Sequence, residues 1–398
     1  MKRLTLLLLG LAFGVSATAK AQGLTMQMSN GWAFTFSGNV NVFWSFTKEN
    51  TNAGDASNSN IRTGLLPTFA TFEAKGKEGG LNLGIHFGFA PQIQNVANCH
   101  DNFPGVVCLG TPSTQAGAQI DMRQVYLTVG LKDGSQILAG RELGLFGRQS
   151  ILNDMTLFGV GAVGVGGGQG GGTTLGRIGY GYIYPNFNAQ VTYSTKPGQA
   201  QFSVGIFQPS ILLGDAFQFT TIPRVEGEFT YNQKSGKNRY TIWVGGLWQT
   251  TKDAPTGGNS LSSFGGNAGV KADIADLQVV VNGYIGKGIG TIFMFSGGQV
   301  AADGTTARPS DGGYAQLMYK VGPKTNVGAS WGFSRLKADA TGDGFSGVLV
   351  NWASYTVGIY HQWTKSLKLV FEGTREEEGA GGAAPAQVDV SGGLMLFF

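Results

Sequence analysis

The sequence predicts an all-β protein: one 16-stranded antiparallel barrel that crosses a membrane. Three observations predict it. Charged residues are 13% and glycines number 66 in 398, against about 25% and about 7% in a soluble domain, while mean hydropathy is zero. Beyond the N-terminus no run of 18 apolar residues occurs, so no transmembrane helix is expected and strands must do the crossing. Period-two alternation marks segments along the whole chain. It is clearest at the C-terminus, where Val388, Val390, Gly392, Leu394, Leu396 and Phe398 share one face. Gln387, Asp389, Ser391, Gly393, Met395 and Phe397 share the other.

Taken in order, the chain opens on Lys2 and Arg3, an apolar run from Leu4 to Val15, and an A-x-A site at Ala19 and Ala21. Residues 1–21 are therefore expected to be a secretory signal peptide, leaving 22–398 as a single barrel domain. The leader holds Lys2, Arg3 and Lys20; 28 basic residues less these three leave 25 against 24 acidic. A nearly neutral mature chain offers no electrostatic footprint for nucleic acid.

The first strand runs from Ala33 to Thr47, with Phe34, Phe36, Val40, Val42, Trp44 and Phe46 on the apolar face and Thr35, Ser37, Asn39, Asn41 and Ser45 on the other. Strands near 61–75 and 81–93 follow, joined at GKEGG, then a hairpin of 119–131 and 136–143 turning at Lys132-Asp133-Gly134-Ser135. A long connection spans about 144–175. Between Arg177 and Thr221 the next turn falls either at Pro185-Asn186, which the pattern slightly favours, or at Lys196-Pro197-Gly198-Gln199. Later turns are expected at Asp276, Gly322-Pro323-Lys324 and Thr364-Lys365-Ser366. The tally is sixteen strands, eight long loops and seven short turns, the even count that single-chain bacterial barrels show.

On this frame Glu73 and Lys75 share the lumen face with Thr71. Lys368 and Glu372 face the lumen because Leu367, Leu369 and Phe371 take the lipid side. Trp32, Trp44, Trp248, Trp363 and Phe398 suit aromatic girdles. Cys99 and Cys108, in a turn-rich stretch of a secreted chain, are expected to staple a loop as a disulfide; with His100 they fall one ligand short of a zinc site. The run from Asp339 to Gly344 lacks the closing Glu of a calcium loop. Neither metal nor cofactor is expected. Three histidines, one of them (His361) on the apolar parity of Tyr355, Val357 and Ile359, provide no nucleophile–base pair, so no enzyme is expected. The Gly-rich 159–172 can bend tightly against a wall and has no GKS/T ending of a phosphate loop.

RQVYLTVGLKDGSQILAGRELGLFGRQ resembles the fourth and fifth strands of Gram-negative general porins, and TLGRIGYGYIYPNF the sixth strand that follows their third loop, the motifs covering about 65 residues. The resemblance is closer to the diverse proteobacterial members. It implies that the third long loop, about 144–175, folds inward to constrict an outer-membrane, water-filled channel for passive diffusion of small hydrophilic solutes and ions, built as a homotrimer. It also implies lipopolysaccharide contacts and a C-terminal Phe398 read by the barrel-assembly machinery. By motif, Arg123 and Arg177 match wall arginines and Asp154 the start of the acidic loop segment, while Glu142, Arg141 and Arg148 flank the loop. Arg123 shares parity with Val125, Leu127 and Val129, so a lumen position requires a bulge. The family's wall lysine and arginine fall at Asn39 and about Thr71, and Thr156-Leu157-Phe158-Gly159 replaces its Pro-Glu-Phe-Gly. Those departures imply a weaker transverse field and an eyelet made apolar by Leu157 and Phe158, as a substrate-specific porin with a narrow opening would have.

Overall fold

The computed structural model describes residues 23–51, 54–94, 120–164, 172–211, 217–295, 298–380 and 386–398. The expected signal peptide and the Cys99–Cys108 disulfide lie outside them. The strands are β1 (Leu24–Gln27), β2 (Ala33–Thr51), β3 (Gly54–Arg62), β4 (Phe69–Glu78), β5 (Leu81–Pro91), β6 (Ile120–Gly130), β7 (Gln136–Leu143), β8 (Phe187–Ser194) and β9 (Ala200–Phe207). The sheet continues with β10 (Arg224–Ser235), β11 (Asn238–Lys252), β12 (Ser260–Ile274), β13 (Leu277–Lys287), β14 (Pro309–Gly322), β15 (Thr325–Ala338), β16 (Gly347–Gln362), β17 (Leu367–Ala380) and β18 (Ala386–Phe397).

Apart from β3 and β4, which both pair with β2, each strand pairs antiparallel with the next, and β18 closes on β2 with Gly392 opposite Trp44. Closure of β18 on β2 joins the first and last strands of the wall, as hydrocarbon demands of a spanning sheet. Sixteen positions surround the axis, because β3 and β4 share one: β3 pairs with the upper part of β2 and β4 with Ala33–Asn39. β1 is an extra short strand beside the base of β2, below the end of β18. Phe398 seals the seam there, exchanging backbone bonds with Gly38 at 3.0 and 3.1 Å.

The two faces have the expected unlike solvents. Outward on β2 stand Val40, Val42, Trp44 and Phe46, all exposed, and inward Asn39, Asn41, Phe43, Ser45 and Thr47, all buried. β18 alternates likewise, with Val388, Val390, Leu394 and Leu396 outward. His361 takes the apolar parity of Val357 and Ile359.

Three expectations are corrected. The continuous strand over 61–75 is broken at 63–68, which folds into the barrel. Pro67 has no N–H for a ladder, and inward asparagines replace the lost bonds. Asn41 accepts from Gly64 N at 2.9 Å and donates to Leu66 O at 2.9 Å, and Asn39 donates to Pro67 O. The hairpin turn lies at 195–199, the Lys196-Pro197-Gly198-Gln199 alternative, not at Pro185-Asn186. The inward connection consequently runs from 144 to 186, longer than 144–175. TLGRIGYGYIYPNF therefore belongs mostly to that connection and not to a sixth strand.

Candidate functional site

Between β7 and β8 the chain leaves the wall at mid-height and lines the lumen. Gly147, at φ 80°, turns it into α1 (Arg148–Leu152), and a 3-10 turn over Met155–Phe158 follows. A segment with so little regular structure must find partners for its backbone elsewhere. The inward side chains of the wall supply them.

On β10, Glu226 accepts from Leu145 N at 2.7 Å and Phe146 N at 2.9 Å and is ion-paired with Arg224 at 2.8 Å. Two residues along the same face, Glu228 pairs with Arg148 at 2.5 Å and accepts from Gln149. On β14, Tyr314 donates to Ser150 O, and the Gln316 amide accepts from Met155 N while donating to Asn153 O. On β17, Glu372 accepts from Val160 N and Gly161 N at 2.7 and 2.8 Å, and from the Tyr360 hydroxyl. Four residues along the same face, Glu376 accepts from Val163 N at 2.7 Å, Gly164 N at 3.3 Å and the Tyr180 hydroxyl at 2.8 Å. A Cβ on Gly159 would stand 2.1 Å from Glu372 Oε1, so only glycine admits this approach.

The return limb, 176–186, carries Tyr180, Tyr182 and Tyr184, each set against another aromatic ring. Tyr180 stacks on Trp352 at 5.6 Å, Tyr182 meets Tyr314 edge-on at 5.9 Å, and Tyr184 meets Phe293 at 5.9 Å. Their hydroxyls reach Glu376, Asp154 and Arg123 respectively. Tyr184 N also bonds Ile292 O, because 288–295 enters the barrel and buries Ile289, Met294 and Phe295 against Phe146 and Ile183. Leu65 and Leu66 of the 63–68 excursion donate backbone bonds to Gly159 O and Leu157 O. At this level Leu157, Val160 and Ile178 pack with Phe43, Val370 and Met395 of the wall in one buried cluster.

The residues singled out from sequence fall as follows. Asp154 is buried; Oδ1 accepts from Thr156 N and Oγ1, and Oδ2 from Tyr182. Arg177 is not on a wall strand. It lies in the inward segment, fully buried, donating to Ser330 Oγ on β15 and to Ser354 O and Oγ on β16. Arg123 is the extra residue of a bulge, since Gly88 faces Gln124 and Phe89 faces Met122. That bulge frees it to reach Tyr184 while pairing with Asp121 at 2.8 Å. Glu142 faces inward and accepts from Gln124 at 2.7 Å. Arg141 faces outward, exposed, opposite Val125 and Ala189. Leu157 is buried in the cluster, and Phe158 lies 4.0 Å beneath the Lys368 ammonium. Glu73 and Lys75 pair at 2.6 Å on the inward face of β4, with His86 beside Glu73.

Glu226, Glu228, Glu376 and Gln316 escaped the sequence reading. Their signal was available: each stands on the inward parity of a strand whose other face is apolar, where an acid or amide needs a partner.

No family model and no curated protein matches the sequence. Solved structures do. The outer membrane channel DcaP of Acinetobacter baumannii is similar at TM-score 0.65 with 14% identity, over 94% of this chain and 99% of that one. The anion-selective porin from Comamonas acidovorans aligns at 0.60 and 14% identity, over 92% and 100%. Salmonella typhi OmpF aligns at 0.55 and 12% identity, over 94% and 100%. The chain has the 16-stranded barrel fold of Gram-negative outer-membrane porins and channels.

Proposed function

We propose that this barrel sits in the outer membrane as a passive channel for small hydrophilic solutes and ions, narrowed by residues 144–186. The observation that carries this reading is the fixing of that segment to the inner wall by Glu226, Glu228, Gln316, Glu372 and Glu376. A barrel closed for structural ends alone has no use for a long inserted segment tied to its wall at so many points. Irregular backbone is tolerated at membrane depth where it meets protein or water, and the narrowest ring sets what passes. In this reading Arg123, Glu142, Asp154 and Arg177 shape the constriction, and Glu73 and Lys75 line the wider vestibule on the turn side. Arg148 ties α1 down through Glu228, and Arg141 takes no part in the lumen. Secretion on a cleaved 1–21 leader, a Cys99–Cys108 staple, assembly through Phe398, lipopolysaccharide contacts and a homotrimer complete the proposal.

A second reading, a substrate-specific channel, is favoured by one observation. At the level of Leu157, Val160 and Ile178 the interior is apolar and buried, and the polar atoms of Asp154 and Arg177 are already engaged. Planar-bilayer recording decides between them. Steady steps that scale with salt support the first reading, steps blocked by one solute class support the second, and silence from folded protein removes both.

A further inference from the structure

We propose that the lumen is polarised along its axis, acidic on the loop side and basic on the turn side. One mouth thereby gathers cations and the other anions, and current passes unequally in the two directions. The proposal rests on the channel reading above and adds a direction to it.

The loop-side charge lies on three neighbouring strands. Glu49, Gln387 and Glu376 form one row across β2, β18 and β17. Asp389 stands two residues below Gln387 and accepts from the Thr47 hydroxyl at 2.6 Å. Glu378 and Glu372 share the inward parity of Glu376 on β17. Against these five acids the arc has one inward cation among the described residues, Arg62 of β3. Elsewhere on the wall Asp121, Glu226 and Glu228 each stand beside an arginine and add no net charge. Glu142 adds one more acid at the constriction.

The turn-side half inverts the sign. There Glu73 is matched by Lys75 at 2.6 Å, and Asp273 stands opposite Arg239. Beyond those pairs Lys77, Lys234, Lys271, Lys320 and Lys368 also face inward by register. No further acid holds the inward parity of these strand ends among the described residues. Lys368 reaches the inward segment, its ammonium 4.0 Å from the Phe158 ring. Glu376 and Lys368 are eight residues apart on β17, about 27 Å along the strand and about 20 Å in height at barrel tilt. That is about two screening lengths at about 0.1 M salt, so neither half cancels the other. The inward segment lies between them, and walls of low dielectric focus each field into the lumen that remains.

The test uses the full chain with Cys99→Ser and Cys108→Ser and one new thiol, Ala56→Cys opposite Glu49 or Thr241→Cys opposite Lys271. Labelling rates are compared for an anionic and a cationic methanethiosulfonate. The anionic-to-cationic rate ratio is expected to be about tenfold higher at position 241 than at position 56 in about 0.1 M salt, and to level out in about 1 M. In parallel the unaltered chain, inserted into a planar bilayer from one side, should pass unequal currents at opposite voltages. Lys271→Glu together with Lys368→Glu should even them. Equal ratios at the two thiols, a difference that salt leaves untouched, or even currents at low salt would each overturn the proposal while leaving a conducting channel. Silence in the bilayer removes the channel reading and the unequal current with it, so the two failures are distinguishable.

Discussion

The inward segment is tied down at two ends, and the ends are built differently. At the front, β10 offers Glu226 beside Arg224 and Glu228 beside Arg148: every acid there has a cation of its own. At the rear, Glu372 and Glu376 of β17 have no basic partner among the described residues. Their charge is answered by backbone N–H groups of 160–164 and by the phenols of Tyr360 and Tyr180. An ion pair needs two side chains in register; a carboxylate can hold any bare backbone that comes close. Glycine is what lets the backbone come close, as Gly159 does against Glu372 at the rear. The front end is therefore a foundation of ion pairs and the rear end a strap of bare backbone gripped by carboxylates.

The largest expected effect comes from breaking the front. Glu226→Gln leaves Arg224 buried without its counter-charge, between the rings of Phe207 and Phe295. Removing one partner of a buried pair costs about 3–5 kcal/mol, so the urea midpoint of the folded barrel should fall by a corresponding amount. A variant as stable as wild type would mean that Arg224 is satisfied by Phe207, Phe295 and Ser210 alone.

The rear should yield less stability and more function. Glu372→Gln keeps one acceptor but gives up charge-assisted bonds worth about 1.5–3 kcal/mol each before compensation. The expected outcome is a barrel that still folds, with noisier and larger single-channel steps than Glu226→Gln shows. If the two variants have identical noise, the distinction between foundation and strap is wrong. Gly159→Ala sharpens the point, since its methyl displaces the Glu372 carboxylate from outside; overpacking costs about 1–3 kcal/mol. Its current traces should match those of Glu372→Gln. A silent Gly159→Ala channel would instead mean that the methyl blocks the path.

The same contrast shows what the sequence could reveal. The seam of β2 and β18 was legible to the residue, because lipid on one side and lumen on the other impose a strict period of two. Lys368 and Glu372 were placed inward by that rule alone. The inward segment answers to no single solvent. Its buried residues follow whichever wall group they meet, as with Met155 on Gln316 or Val163 on Glu376. Tyr180, Tyr182 and Tyr184 even keep a period of two outside any ladder, set by successive aromatic partners, and this drew the expectation of a sixth strand and the misplacement of Arg177. The break at 63–68 carried its own signals, Gly64 and Pro67, but their effect depends on Asn39 and Asn41 across the strand. Arg123 shows the opposite case, where parity alone demanded a bulge and the register contains one.

A third tie, outside the membrane, sets the lower end of the scale. Arg308 grips Asp343 through two bonds, at 2.6 and 3.0 Å, joining the end of the 288–308 loop to the loop after β15. Asp343 also accepts from Ala302 N and Asp339 N. The Arg308 hydrogen bonds hold its carboxyl well below the usual carboxylate range, and Asp303, which caps Thr305 and Thr306, is held down at about 2. A carboxyl depressed in the folded state contributes above the unfolded value, about 3.9, and loses that contribution only as pH falls through the lower folded value. The clasp should therefore stay shut between pH 7 and pH 5. Spin labels at Thr305 and Thr341 are expected to give the same narrow distance distribution at both. Asp343→Asn should broaden it at either pH while moving the urea midpoint little, because the clasp ties two loops to each other and no strand of the wall depends on it. Broadening in the wild type by pH 5 would show that something other than this carboxyl governs the loop.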